Sequence, residues 1–109
     1  MSLSSPAEVQ GRLEQVDAEL GIRLTALEKA AFDWYRAKPK RDKLWADTYV
    51  AFNGPAHLRK VAADGRVAEE LEWAELEGLY EGLRAVVRGL ETKASIGQSI
   101  LRAQSRVGA

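Results

Sequence analysis

The sequence predicts an all-α fold, a helical hairpin or bundle in which one long C-terminal helix packs in the manner of a coiled coil. Apolar residues recur at spacings of three and four along most of the 109 residues, which is the period of one helix face. Strand-like alternation of convincing length and internal repeats are absent from the sequence. The length is that of one domain, so we expect residues 1–109 to form a single helical domain.

The first predicted helix occupies residues 1–21. Ser5 can accept hydrogen bonds from the free backbone amides at the helix start, and Pro6 follows it where no amide bond is lost. Four apolar residues then share one helix face, the last of them Leu20. Glycine is the residue type that most often ends a helix in the left-handed conformation, so we expect Gly21 to end this one.

A second helix is predicted over residues 25–53. Thr25 opens it with a capping pattern, and the aromatic residues that follow continue the helical spacing. Pro39 has no backbone amide and its ring clashes with the preceding turn, so we expect a kink there. The helix then resumes and ends at Asn53, because an Asn-Gly-Pro sequence favours a turn.

The rest of the chain is interpreted as a partly helical connector, residues 54–66, followed by the long C-terminal helix, residues 67–106. The long helix has apolar residues on a seven-residue repeat, which is typical of a coiled-coil seam. This predicted seam consists of Leu76, Leu79, Leu83, Val86 and Leu90. Beside it runs a second stripe of small residues, Gly78, Gly82, Ala85 and Gly89.

These two stripes have two possible explanations. Each glycine destabilises a helix by about 1 kcal/mol relative to alanine, so a row of glycines favours close approach by another helix. We therefore predict that the seam and the glycines form the interface of a homo-oligomer. The alternative is that one stripe faces the core of its own chain and that the glycines are tolerated without any partner.

The composition and the motifs argue against several classes of protein. No stretch approaches the ~20 apolar residues of a membrane span, and no signal-peptide pattern begins the chain. The lack of cysteine excludes disulfides and thiolate sites and is consistent with the cytoplasm. His57 has no neighbours at metal-ligand spacing, and phosphate-loop patterns are absent. We expect no enzyme, cofactor, metal or small-molecule substrate, although a carboxylate site needs no local motif.

The net charge of zero conceals segments of alternating sign. Residues 34–66 carry eight basic and three acidic side chains, whereas residues 1–33 and 67–91 are acidic. Cations neutralise phosphates and flat rings stack on nucleobases, so this basic segment favours binding of single-stranded nucleic acid. The candidate contacts are Lys38, Lys40, Arg41, Lys43, Trp45, Tyr49, Arg59 and Lys60. The alternative is that the rings belong to the core and the cations form a solvated face.

The layout of these features resembles that of UvsY-type recombination mediators, small helical proteins of phage recombination modules. The resemblance covers residues 25–106 and is one of pattern: an aromatic and basic helix at 29–35, the stretch 43–54, and a final helix through Ile100. The sequence lacks the compact Lys-Ala-Arg run of that family, and Pro39 interrupts the preceding helix. The resemblance implies a cytoplasmic, ring-like homo-oligomer that contacts single-stranded DNA and a recombinase.

The leading hypothesis is therefore a non-enzymatic, phage-type accessory protein. It would oligomerise through residues 67–104 and bind single-stranded nucleic acid, a recombinase or both, using residues 36–66 for the nucleic acid. The alternative is a structural or assembly protein, such as a virion component or helical adaptor, whose basic segment meets an acidic protein surface. An inhibitor of a host enzyme would have the same sequence features.

Overall fold

The computed structural model describes residues 5–107, and within this range it consists of three α-helices and no strand. Helix α1 is Pro6–Ala51, helix α2 is Ala56–Ala68 and helix α3 is Leu71–Val107. The predicted all-α fold with one long C-terminal helix is confirmed. Over the described part of the chain, none of these helices combines the length and apolar character needed to cross a membrane.

Helix α1 begins as the sequence predicts. The backbone amide of Glu8 donates to Oγ of Ser5 at 3.2 Å, and the amide of Val9 donates to the carbonyl oxygen of Ser5 at 3.0 Å. Ser5 is therefore the N-cap, since its side chain satisfies an amide that has no partner inside the helix. At its other end α1 stops at Ala51, just before the predicted Asn-Gly-Pro turn.

Helix α1 does not end at Gly21, so the boundary predicted between residues 1–21 and 25–53 is wrong. No glycine among the described residues has a positive φ. Thr25 does not cap a new helix, because its hydroxyl donates to the carbonyl oxygen of Gly21 at 3.1 Å, within a continuous helix. The helix also continues through Pro39. A glycine inside a helix costs only about 1 kcal/mol relative to alanine, so Gly21 does not by itself end the helix.

The predicted connector is mostly helix α2, and the long helix begins at Leu71 rather than at residue 67. Only Glu69 and Glu70 lie between the two helices. Nη1 of Arg66 lies 2.9 Å from Oε1 of Glu70 and 3.5 Å from Oε2 of Glu69. The chain therefore turns at two glutamates held by one arginine, with no glycine or proline at the break.

Parts of these helices form two compact units. Unit 1 consists of Met1–Leu27 and Leu83–Ala109, and unit 2 is Glu28–Gly82. Unit 1 thus contains the first part of α1 and most of α3, and its buried apolar side chains are Val9, Leu13, Val87 and Leu90. Unit 2 contains the rest of α1, all of α2 and the start of α3, and its buried apolar side chains are Ala30, Trp34 and Ala63.

The inward side of α3 follows a coiled-coil repeat. Between Leu71 and Arg106, every residue that is buried or half-buried falls at alternating spacings of three and four. These residues are Trp73, Leu76, Tyr80, Leu83, Val87, Leu90, Ala94, Gly97, Leu101 and Gln104. This spacing is that of a heptad seam, so the predicted coiled-coil-like packing of α3 is confirmed.

Candidate interfaces

The predicted seam is divided between two sides of α3. Leu90 is 6% exposed, and Leu76 and Leu83 are half-buried, so these three lie on the inward side. Leu79 and Val86 are 55% and 42% exposed and lie outside. Placing Leu90 in an interface between copies is therefore wrong, because its own chain already covers it.

An outer stripe on α3 of unit 1 remains uncovered. Its members are exposed and follow alternating spacings of three and four, each one position before an inward residue: Val86, Gly89, Lys93, Ile96, Ile100 and Ala103. Ile96 is 56% exposed and Ile100 is 43% exposed. On the same helix in unit 2, the corresponding positions are held by Glu72, Glu75, Leu79 and Gly82, all of them exposed.

The predicted stripe of small residues has no packing role within its own units. A Cβ atom added to Gly78, Gly82 or Gly89 would meet no atom within 4 Å. The glycine that does permit a close approach is Gly97, which the sequence analysis did not single out. A Cβ atom on Gly97 would lie 2.6 Å from Cδ2 and 3.0 Å from Cγ of Leu13, so glycine lets α3 pack directly against that leucine.

The outer stripe borders a groove, named here the unit 1 groove. It lies between residues 9–19 of α1 and residues 93–104 of α3, and its volume is about 820 Å³. The lining is predominantly apolar, and its aliphatic members include Val9, Val16, Ile96 and Ile100. An open apolar groove between two helices is the kind of surface into which a further helix packs.

In unit 2, the aromatic rings of the basic segment pack against other residues of the unit. Trp45 and Tyr49 are half-buried and stacked, with ring centroids 5.2 Å apart and an interplanar angle of 18°. Nε1 of Trp45 donates to Oδ1 of Asp64 at 2.8 Å. The guanidinium of Arg59 lies 5.9 Å from the Tyr49 ring centroid, and its Nε donates to the carbonyl oxygen of Gly54 at 2.8 Å. These contacts join α2 to α1.

Two cations of the basic segment also have partners within unit 2. The guanidinium of Arg41 lies 4.9 Å from the ring centroid of Trp34 and 3.9 Å from the carboxylate of Glu77. Nζ of Lys43 lies 3.0 Å from Oδ2 of Asp47. Arg41 is therefore part of the packing between α1 and α3, while Lys43 forms an exposed pair along α1.

The remaining candidate cations are exposed lysines. Lys38, Lys40 and Lys60 have no carboxylate within ion-pair distance among the residues that the structure describes. Of the eight residues predicted to contact nucleic acid, these three lysines can meet an external anion without giving up a contact within the chain. Arg59 has no ion pair within residues 5–107 either, but its guanidinium is engaged by the carbonyl oxygen of Gly54 and the Tyr49 ring.

No group of three or more potential metal-ligating side chains lies together in the part of the chain described here. His57 is exposed. Comparison of the chain with protein-family models, with curated proteins and with solved structures finds no match in any of the three.

Proposed function

We propose that this chain is a non-enzymatic structural or assembly protein that associates with copies of itself through the outer stripe of α3. The main support for this proposal is that the apolar side chains of Val86, Ile96 and Ile100 are exposed on a regular helical repeat. Apolar side chains on this repeat are how helices recognise other helices, because they form a continuous seam. Packing among residues 5–107 leaves the outer stripe without a partner.

Sedimentation velocity of the full chain, from low to high micromolar concentration, tests self-assembly directly. We expect a species heavier than the 12.0 kDa monomer whose population rises with concentration. A single species with the monomer mass at every concentration would contradict the proposal.

A second function, contact with single-stranded nucleic acid, is favoured by the three unpaired lysines. Lys38, Lys40 and Lys60 are exposed and can contact a phosphate without breaking an ion pair. Arg36 in the same basic segment is also exposed and has no ion pair within residues 5–107. The half-buried state of Trp45 and Tyr49 favours phosphate contact over base stacking. In a mediator of the UvsY type, an assembly would present such a surface while a recombinase is loaded onto DNA.

Fluorescence anisotropy of a labelled single strand at low and moderate salt tests this second function. Replacing Lys38, Lys40 and Lys60 together with alanine should reduce the salt slope of the binding constant by about 2, at ~0.7 per lost phosphate contact. The matched control is Lys43→Ala, since Lys43 is already paired with Asp47. Binding that is undetectable, or that does not respond to salt, would refute this function and leave self-assembly untouched.

A further inference from the structure

The two units differ in how their long helices are covered. In unit 2 a third helix, α2, packs against α1 through the contacts of Asp64 with Trp45 and of Arg59 with Tyr49, and Ala63 of α2 is completely buried. Unit 1 contains only segments of α1 and α3, and the unit 1 groove lies open between them. Within residues 5–107, a third helix belongs to unit 2 and none belongs to unit 1.

We infer that the unit 1 groove receives α3 of a second copy of this chain. The inference rests on the self-assembly proposed above and specifies the surface through which it occurs. The α3 wall of the groove extends from residue 93 to residue 104, which corresponds to about 16 Å or three helical turns. The groove is lined on this wall by Ile96, Ile100 and Ala103, which are spaced by four and three residues. A helix with apolar residues at the same spacing can therefore interdigitate with them.

The charges of the groove walls favour α3 of another copy as the occupant. Residues 5–20 of α1 carry four acidic side chains and one basic side chain, whereas residues 92–107 of α3 carry three basic side chains and no acidic one. A second α3 entering the groove brings a basic segment next to the acidic α1 wall. It also brings its own outer stripe, so the apolar residues of both copies are covered in the same contact.

A charge placed in the groove tests this inference. We expect the double variant Ile96→Glu with Ile100→Glu to raise the dissociation constant of the assembly by at least about 100-fold, because docking would bury two unpaired carboxylates. Both side chains are exposed in the single chain, so helix content by circular dichroism should stay unchanged. Sedimentation velocity measures the assembly.

The matched control is Leu79→Glu. Leu79 occupies the corresponding repeat position on the same helix, is 55% exposed and lies in unit 2, outside the groove. We expect this variant to assemble like the unmodified chain. A second groove variant, Ala103→Glu, introduces bulk and an acidic charge facing the acidic α1 wall at an exposed position, and it should also dissociate the assembly.

The outcomes separate the two proposals. If the groove variants remain assembled, or if only Leu79→Glu dissociates, the groove is not the interface, although self-assembly stands. If the unmodified chain is monomeric at every concentration, both proposals fail. If the groove variants become folded monomers and Leu79→Glu does not, the groove is the interface between copies, as inferred.

Discussion

Unit 1 and unit 2 both contain segments of the two long helices α1 and α3, but the apolar surfaces of these segments are covered differently in the two units. Unit 2 buries Trp34 and covers the aromatic pair of α1 with α2, using polar contacts such as that between Trp45 and Asp64. Unit 1 relies on small and aliphatic residues packed closely, with Leu13 beside Gly97, and leaves an open apolar groove. A unit of two helix segments has a narrow interior, which is why we propose a partner for unit 1.

The largest expected effect is in the core of unit 2. Trp34→Ala should lower the free energy of unfolding by about 3–5 kcal/mol, because it removes a side chain that is only 5% exposed and also the ring beneath Arg41. Urea denaturation followed by circular dichroism measures this change. A loss of that size is a large part of the stability of a small domain.

The control for this prediction is Phe32→Ala, two residues away on the same helix. Phe32 is 64% exposed, so its removal should change the free energy of unfolding by less than about 1 kcal/mol. Equal losses for the two variants would mean that unit 2 is not organised around Trp34, and the contrast drawn between the units would no longer hold.

The next effect concerns close packing in unit 1. Gly97→Ala places a methyl group 2.6 Å from Cδ2 of Leu13, and overpacking of this kind reduces stability by about 1–3 kcal/mol. The gain in helix propensity partly offsets this loss. We therefore expect urea denaturation to show Gly97→Ala to be less stable than the matched variant Gly21→Ala by about 1–3 kcal/mol.

Gly21→Ala also tests the continuity of α1. A methyl group on Gly21 would meet no atom within 4 Å, and the residue lies inside the helix, so alanine should stabilise the chain by about 0.5–1 kcal/mol. If Gly21 ended a helix in the left-handed conformation, as its sequence context suggests, the same substitution would destabilise the chain. The sign of the change therefore distinguishes the two descriptions.

Local signals predicted the fold class and some helix boundaries. The Ser5 cap and the Asn-Gly-Pro turn depend on residues next to each other in the chain, and both were predicted. Helix α1 continues through Gly21, where residues 21–25 are all exposed, and the break at Glu69 contains no glycine or proline. Neither could be predicted from local propensity, which favoured the opposite outcome at each position.

The candidate interfaces were predicted less completely, because apolar residues cover more than one side of α3. The seven-residue repeat in the sequence places Leu79 and Leu90 in the same predicted seam, yet in the structure the side chain of Leu79 is 55% exposed and that of Leu90 is 6% exposed. Only the position of α1 decides which side is covered. Similarly, the sequence around Trp45 indicates an aromatic and basic surface. In the structure the Trp45 ring is held by a hydrogen bond that its Nε1 donates to Asp64, nineteen residues further along the chain.

An effect of about the same size as that at Gly21 concerns the attachment of α2 in unit 2. Trp45→Phe keeps an aromatic ring for stacking on Tyr49 but removes the indole donor to Asp64. We expect a loss of about 1 kcal/mol in the free energy of unfolding, which is the usual contribution of one hydrogen bond near the surface. Native-state hydrogen exchange should show faster exchange of the α2 amides, because local opening of this helix becomes easier.

The double variant Trp45→Phe with Asp64→Ala separates this hydrogen bond from other effects of each substitution. If the bond holds α2 in place, the two losses should be non-additive by about 0.5–1.5 kcal/mol, since the second substitution finds the bond already broken. Strict additivity, or unchanged exchange in α2, would mean that apolar contacts around Ala63 are sufficient to hold α2. In that case α2 would be held on unit 2 by apolar contacts, as we infer for the helix that enters the unit 1 groove. The two units would then differ only in that the third helix of unit 2 belongs to the same chain.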